Sequence, residues 1–258
     1  MRFISAAALT AGLVLAQTLH AATTTLMQDP SPGRQVEQSL KTTDGGTVPY
    51  LLYQPRDYSE KGAAVPLMLF LHGRGESNGP LSLVSKWGVP RRLAAGEHMK
   101  YLVVSPQCPR KSFWSQDEQQ TRLLELLEHT IKTYNIDTDR IYLTGLSMGG
   151  YGTWRLAADH PEMFAAAAPI CGKGEPKQAV ALTNLPIWAW HGNEDRVVLY
   201  QHSVDMVDAI KAAGGTKVRL TSLEHIGHNS WQAAYGSDEL YDWLDQQRAS
   251  RNRTTKKK

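Results

Sequence analysis

Ser147 stands among glycines in Gly145-Leu146-Ser147-Met148-Gly149, immediately after the apolar run Ile141–Thr144. The stretch behind it, Gly150–Asp159, has helical character. A G-x-S-x-G pattern alone is modest grounds for an inference; framed by a strand and a helix it becomes specific. Small residues on either side let a sharp turn force the serine outward at the end of its strand. A serine hydroxyl is a weak nucleophile at neutral pH. It needs a base to take its proton, and the base needs an acid to hold its tautomer. With a serine so placed, acid and base follow in the order Asp or Glu, then His.

Both partners are found downstream. Ile187–Trp190 ends in His191-Gly192-Asn193-Glu194-Asp195-Arg196-Val197-Val198, which puts Asp195 just past a strand end. Glu194 is its competitor, and a helix N-cap before Val197 is its alternative use. Val218–Leu223 runs into Glu224-His225-Ile226-Gly227-His228. His228, after a glycine, can lean over the sheet towards Ser147; His225 is the alternative. His72 and His191, beside glycines at strand ends, are expected to bond within their loops. Acyl transfer also needs donors for the developing oxyanion. The Met148 N–H, at a positive helix end, and the Arg74 N–H, in the His72-Gly73-Arg74-Gly75-Glu76 loop, are the candidates.

The elements that must bring these residues together are visible as apolar runs. Pro66–Leu71, Tyr101–Ser105, Ile141–Thr144, Phe164–Ile170, Ile187–Trp190 and Val218–Leu223 read as strands covered on both faces of a parallel sheet. Gln35–Leu40 and Val48–Gln54, joined through Asp44-Gly45-Gly46, read as a hairpin before them. Helical stretches at Gln119–Tyr134, Gly150–Asp159, Gln201–Ala213 and Asp238–Arg248 alternate with the strands, the pattern of an α/β domain.

Together the segments FLHGRGE, PQCP, GLSMGGYGTW, APICG, HGNEDRVV and EHIGHNSW resemble the α/β-hydrolase superfamily. Within it they are similar to the exported esterase and predicted-peptidase branch, near polyhydroxybutyrate-depolymerase-like, feruloyl-esterase-like and phospholipase/carboxylesterase enzymes. The resemblance covers about Val36 to Arg248. It implies a mostly parallel eight-stranded sheet with helices on both faces, a Ser147–Asp195–His228 triad, and ester hydrolysis with no metal or cofactor. A serine peptidase using the same triad and an inactive binding protein are the alternatives.

The interval from Ile170 to Leu185 is too short for a large helical lid, so an open cleft for small-molecule esters is expected. Trp114 and Trp231 are candidates to line it, with ordinary core packing as their other use. Cys108 and Cys171 both follow strand ends, and a disulfide could staple the loops there.

The chain of 258 residues fits one domain. Residues 1–21 combine Arg2, a short apolar stretch and small residues near Ala21, the features of a secretory signal peptide. Residues 22–34 read as a flexible leader, 35–248 as the hydrolase domain and 249–258 as a basic disordered tail. Periplasmic or secreted protein is the expectation, with no stable membrane span. The net charge of +3 is misleading, because the tail concentrates cations with no acid after Asp245. Without the tail and Arg2 the body is acidic, which argues against a nucleic-acid partner.

Overall fold

The computed structural model describes residues 30–77 and 79–249. The expected signal peptide, most of the leader, and the tail from 250 onwards lie outside the described residues. Eight strands form one sheet: β1 (Gln35–Lys41), β2 (Thr47–Tyr53), β3 (Val65–Leu71), β4 (Leu102–Pro106), β5 (Ile136–Leu146), β6 (Ala166–Ile170), β7 (Ile187–Gly192) and β8 (Val218–Leu223). Their order is β1-β2-β4-β3-β5-β6-β7-β8. The β1–β2 and β2–β4 pairs are antiparallel, and every other pair is parallel.

This order fixes where a ligand can sit. From β3 the chain first moves outward to β4, then returns to β3's other side as β5. The crevice at the carboxyl ends of β3 and β5 is therefore a topological switch point, where open α/β sheets bind ligands. Ser147 follows β5 and His72–Arg74 follow β3, so the sheet delivers both to this crevice.

Strand alternation splits the core in two. Leu67, Leu69, Leu71, Leu143 and Ala189 face α2 (Asp117–Thr133), α3 (Met148–Asp159) and α4 (Gln201–Ala212). Met68, Phe70, Tyr142, Trp188 and Trp190 face the opposite side, with α1 (Gly88–Ala94), α5 (Trp231–Gly236) and α6 (Asp238–Asp245). Burial on both faces explains the unbroken apolar runs. Between β6 and β7 the chain contains only a 3-10 turn over Pro176–Leu182, and no large lid is present among the described residues.

The two cysteines are a correction. Cys108 and Cys171 are free and buried. They belong to the two different core clusters, on opposite faces of the sheet, so the thiols do not meet.

Candidate active site

Ser147 sits between β5 and α3 with φ 53° and ψ −117°, a backbone conformation disfavoured for any residue with a side chain. The strain is held from both sides. The Ser147 N–H donates to the Ile170 carbonyl at 2.9 Å. A side chain at Gly149 would collide with the Leu71 carbonyl oxygen, so only glycine lets α3 start this close to β3. Gly150 and Gly172 touch in the same way across the β6 end.

A continuous line of hydrogen bonds leads away from the serine. Ser147 Oγ lies 2.9 Å from His228 Nε2, and His228 Nδ1 lies 2.7 Å from Asp195 Oδ2. Since Asp195 can only accept when ionised, Nδ1 carries the proton and Nε2 is left to accept from the hydroxyl. The 228 loop reaches this position because β7 and β8 run parallel to matched ends. Gly192 pairs with Leu223, and the Asn193 and Glu194 N–H groups donate to Leu223 and Ile226. Gly192 is needed for that approach: a side chain there would strike the Ile226 and Gly227 carbonyls.

Asp195 divides its work between its two oxygens. Oδ1 accepts from the Val197 and Val198 N–H groups at 2.8 and 3.0 Å, a local turn-capping arrangement. Oδ2 accepts from His228 and from His191 Nε2, the latter at 3.2 Å. The cap and the histidine partner are thus one carboxylate. Burial acts to raise its pKa, but the His228 hydrogen bond, the two amides and the His228 charge outweigh it and hold the group below the usual carboxylate range.

His191, expected to bond only within its own loop, instead joins the site. Its Nε2 faces Asp195 and the Val198 carbonyl, so the proton sits on Nε2; its Nδ1 accepts from Ser203 Oγ at 2.7 Å. Burial lowers its pKa and keeps it neutral. Only the position of β7 beside the 195 turn signals this contact. Glu194 and His225, the competing acid and base, pair with each other at 3.0 Å on the exposed rim, away from the serine.

The Arg74 and Met148 main-chain N–H groups donate to no protein acceptor among the described residues. A Cβ built at Gly73, next to Arg74, would lie 3.7 Å from Ser147 Cβ, which sets this loop against the serine. The loop is braced by His72. Its Nε2 accepts from the Cys108 N–H at 2.9 Å, which leaves Nδ1–H to donate to the Gly73 carbonyl at 2.6 Å. Burial lowers the His72 pKa to about 4. The Arg74 guanidinium donates to the Ser112 carbonyl and lies 4.2 Å from the Phe113 ring centre, and does not pair with Glu76.

Trp114 is a second correction. It is 1% exposed, donates its indole N–H to the His72 carbonyl and packs against Gly152 of α3, so it buttresses the loop from behind and lines no cleft. Trp231 is half-buried and meets the His228 ring edge-on, with centres 5.3 Å apart. Cys171, Asp195 and His228 bring potential metal-binding atoms within 4.8 Å of one another. Burial pushes the Cys171 thiol up to about 12 and Asp195 is already occupied by two histidines, so a cation there would have to dismantle the hydrogen-bond line.

A strand–turn–helix serine at the switch point of this sheet, with acid and histidine on the last two strand loops, defines the α/β-hydrolase fold. Residues 109–237, half of the chain, match the family model described as Phospholipase/Carboxylesterase. The protein belongs to that family. It is similar to a thermostable esterase of known structure, at 34% identity and a TM-score of 0.73, over 83% of this chain and 63% of that one. It is 33% identical over 139 residues to a bifunctional acetylxylan esterase/xylanase from Neocallimastix patriciarum, covering 53% of this chain and 20% of that protein. It is 33% identical over 135 residues to poly(3-hydroxyalkanoate) depolymerase C from Paucimonas lemoignei, covering 47% of this chain and 31% of that protein. The matched regions span a third or less of the length of these two relatives.

Proposed function

We propose that the protein hydrolyses carboxylic esters through Ser147, His228 and Asp195. The observation that supports this best is the unbroken line from a strained serine through one imidazole to a buried carboxylate, at 2.9 and 2.7 Å. In this reading His228 Nε2 takes the hydroxyl proton as Ser147 Oγ bonds to the ester carbonyl carbon. The Met148 and Arg74 N–H groups donate to the resulting oxyanion. Collapse breaks the bond to the alcohol, which leaves with the proton from His228, and the acyl group stays on Ser147. Water then gives its proton to His228 and attacks the acyl carbon, releasing the acid and restoring the serine. Asp195 holds the imidazole tautomer and stabilises the imidazolium.

Residues 35–248 are the catalytic domain in this reading. Residues 1–21 are a cleaved export signal, 22–34 a leader and 249–258 a tail, which puts the enzyme in the periplasm or outside the cell. Ester substrates are also what the names of the acetylxylan esterase and depolymerase relatives indicate for those proteins.

The test is p-nitrophenyl acetate hydrolysis by the wild type and Ser147→Ala, with p-nitroacetanilide as the amide control. The expected result is a nitrophenol burst in the wild type and a fall in kcat of about 10⁶-fold in the variant. Equal turnover by the two proteins contradicts the reading, and a preference for the anilide moves it to a peptidase.

A further inference from the structure

Beside the triad lies a cleft of about 300 Å³ between α1 and α5, lined by Trp87, Arg91, Arg92, Glu97, Trp231 and Gln232 among others. Trp231 is its shared wall. Its ring lies nearly perpendicular to the His228 ring at 5.3 Å between centres, and 6.0 Å from the Trp87 ring centre. A group held between α1 and α5 is therefore one indole away from the imidazole that hands a proton to the leaving alcohol. The volume is at the lower end of small-molecule sites, which span on the order of 300–1,000 Å³, and suits one ring.

The charges of the cleft are unequally committed. Arg92 is consumed: it pairs with Glu97 at 2.6 Å and donates to the Tyr235 carbonyl. That pairing also neutralises Glu97. Arg91 is exposed, and its guanidinium makes no ion pair or hydrogen bond among the described residues; it lies 5.3 Å from the Trp87 ring centre. Lys86 approaches the same ring at 5.6 Å and has no salt-bridge partner among the described residues, although the Glu76 carboxyl feels its charge. Two indoles line the cleft, and the Arg91 guanidinium, itself a lining group, stands over the Trp87 ring with the Lys86 ammonium nearby. Gln232 and the outer edge of Glu97 add hydrogen-bonding groups for hydroxyls.

We infer that this cleft is a subsite for a carboxylated sugar ring, so that the preferred substrates are acyl esters of uronic acid residues. The ring stacks on Trp87 and Trp231, and its carboxylate pairs with Arg91, supported by Lys86. The inference rests on the ester-hydrolase reading above and goes further by naming the alcohol side of the ester.

The experiment compares kcat/KM for two acetylated methyl glycosides, a glucuronoside and the neutral glucoside, and for 4-carboxyphenyl acetate against phenyl acetate. In parallel, quenching of tryptophan fluorescence in Ser147→Ala by unacetylated methyl glucuronoside and methyl glucoside reads binding without turnover. The expected result is about a tenfold preference for the glucuronoside in both assays, shrinking with added salt. Arg91→Gln is expected to bring the two sugars to within about twofold of each other, and Trp87→Ala to weaken quenching by both. Equal values for the two sugars, or a preference that survives Arg91→Gln, overturns the inference. A preference confined to the carboxyphenyl ester overturns the sugar assignment. Absence of p-nitrophenyl acetate hydrolysis would instead defeat the hydrolase reading, and the quenching assay still decides the subsite.

Discussion

At the scale of single residues, Asp195 is the most heavily bonded group in the site. Two amides hold one oxygen and two histidines the other, so its position does not depend on His228 alone. Asp195→Asn should leave the fold intact and lower kcat by about 10⁴-fold, because an amide can donate to Nδ1 and reverse the tautomer. His191→Phe removes one of the two histidine donors without touching Ser147. A drop in kcat/KM of about tenfold with KM little changed is expected, and steady-state ester kinetics read both variants. An Asp195→Asn enzyme as fast as the wild type would mean that the carboxylate is only a turn cap. Motif, strand ends and chain order single out Ser147, Asp195 and His228 in the sequence, and the structure brings the three within hydrogen-bonding distance. The sequence could not disclose His191, whose contact exists only because β7 ends beside the 195 turn. Nor could it disclose that Trp114 is buried, since that follows from how α3 settles on its ring.

At the scale of elements, the strand–turn–helix around Ser147 depends on backbone approach. Gly149→Ala would drive a methyl group into the Leu71 carbonyl and should cost about 3 kcal/mol or more, read as a fall in the midpoint of denaturant unfolding. A neutral effect would show that α3 can shift without loss. The β3 loop makes a pH-dependent contribution through His72. Its pKa is depressed from about 6.5 to about 4 by burial, so the unfolded chain binds a proton that the folded chain refuses. Stability is therefore complete above about pH 6.5 and falls as pH drops towards 4, by on the order of 3 kcal/mol. Denaturation midpoints across this range should slope less steeply in His72→Gln, and parallel slopes would refute the assignment. The apolar strands were legible because both their faces are buried. Helix α1 was not, because Gly88 and Pro90 read as breakers, and the polar start of β5 at Ile136–Asp139 hides its strand character.

At the scale of the whole molecule, the sheet places the cysteines on opposite faces and the three site residues beyond the carboxyl ends of β5, β7 and β8. Burial pushes both thiols up to about 12, so the native protein should resist a thiol reagent and release two reactive thiols on unfolding without reductant. Strand-end spacing suggested a bridge, but it carries no information on which face each side chain takes. The proposed hydrolysis depends on the convergence of residues 147, 195 and 228, from three separate strand ends, into one proton-passing line. The most direct measurement is labelling by a fluorophosphonate probe, mapped by peptide mass spectrometry in the wild type and in His228→Ala. A single adduct on Ser147 is expected, with a labelling rate at least about 10³-fold lower in the variant. An adduct on another residue, or labelling of Ser147 undiminished without His228, would contradict the proposed hydrolysis.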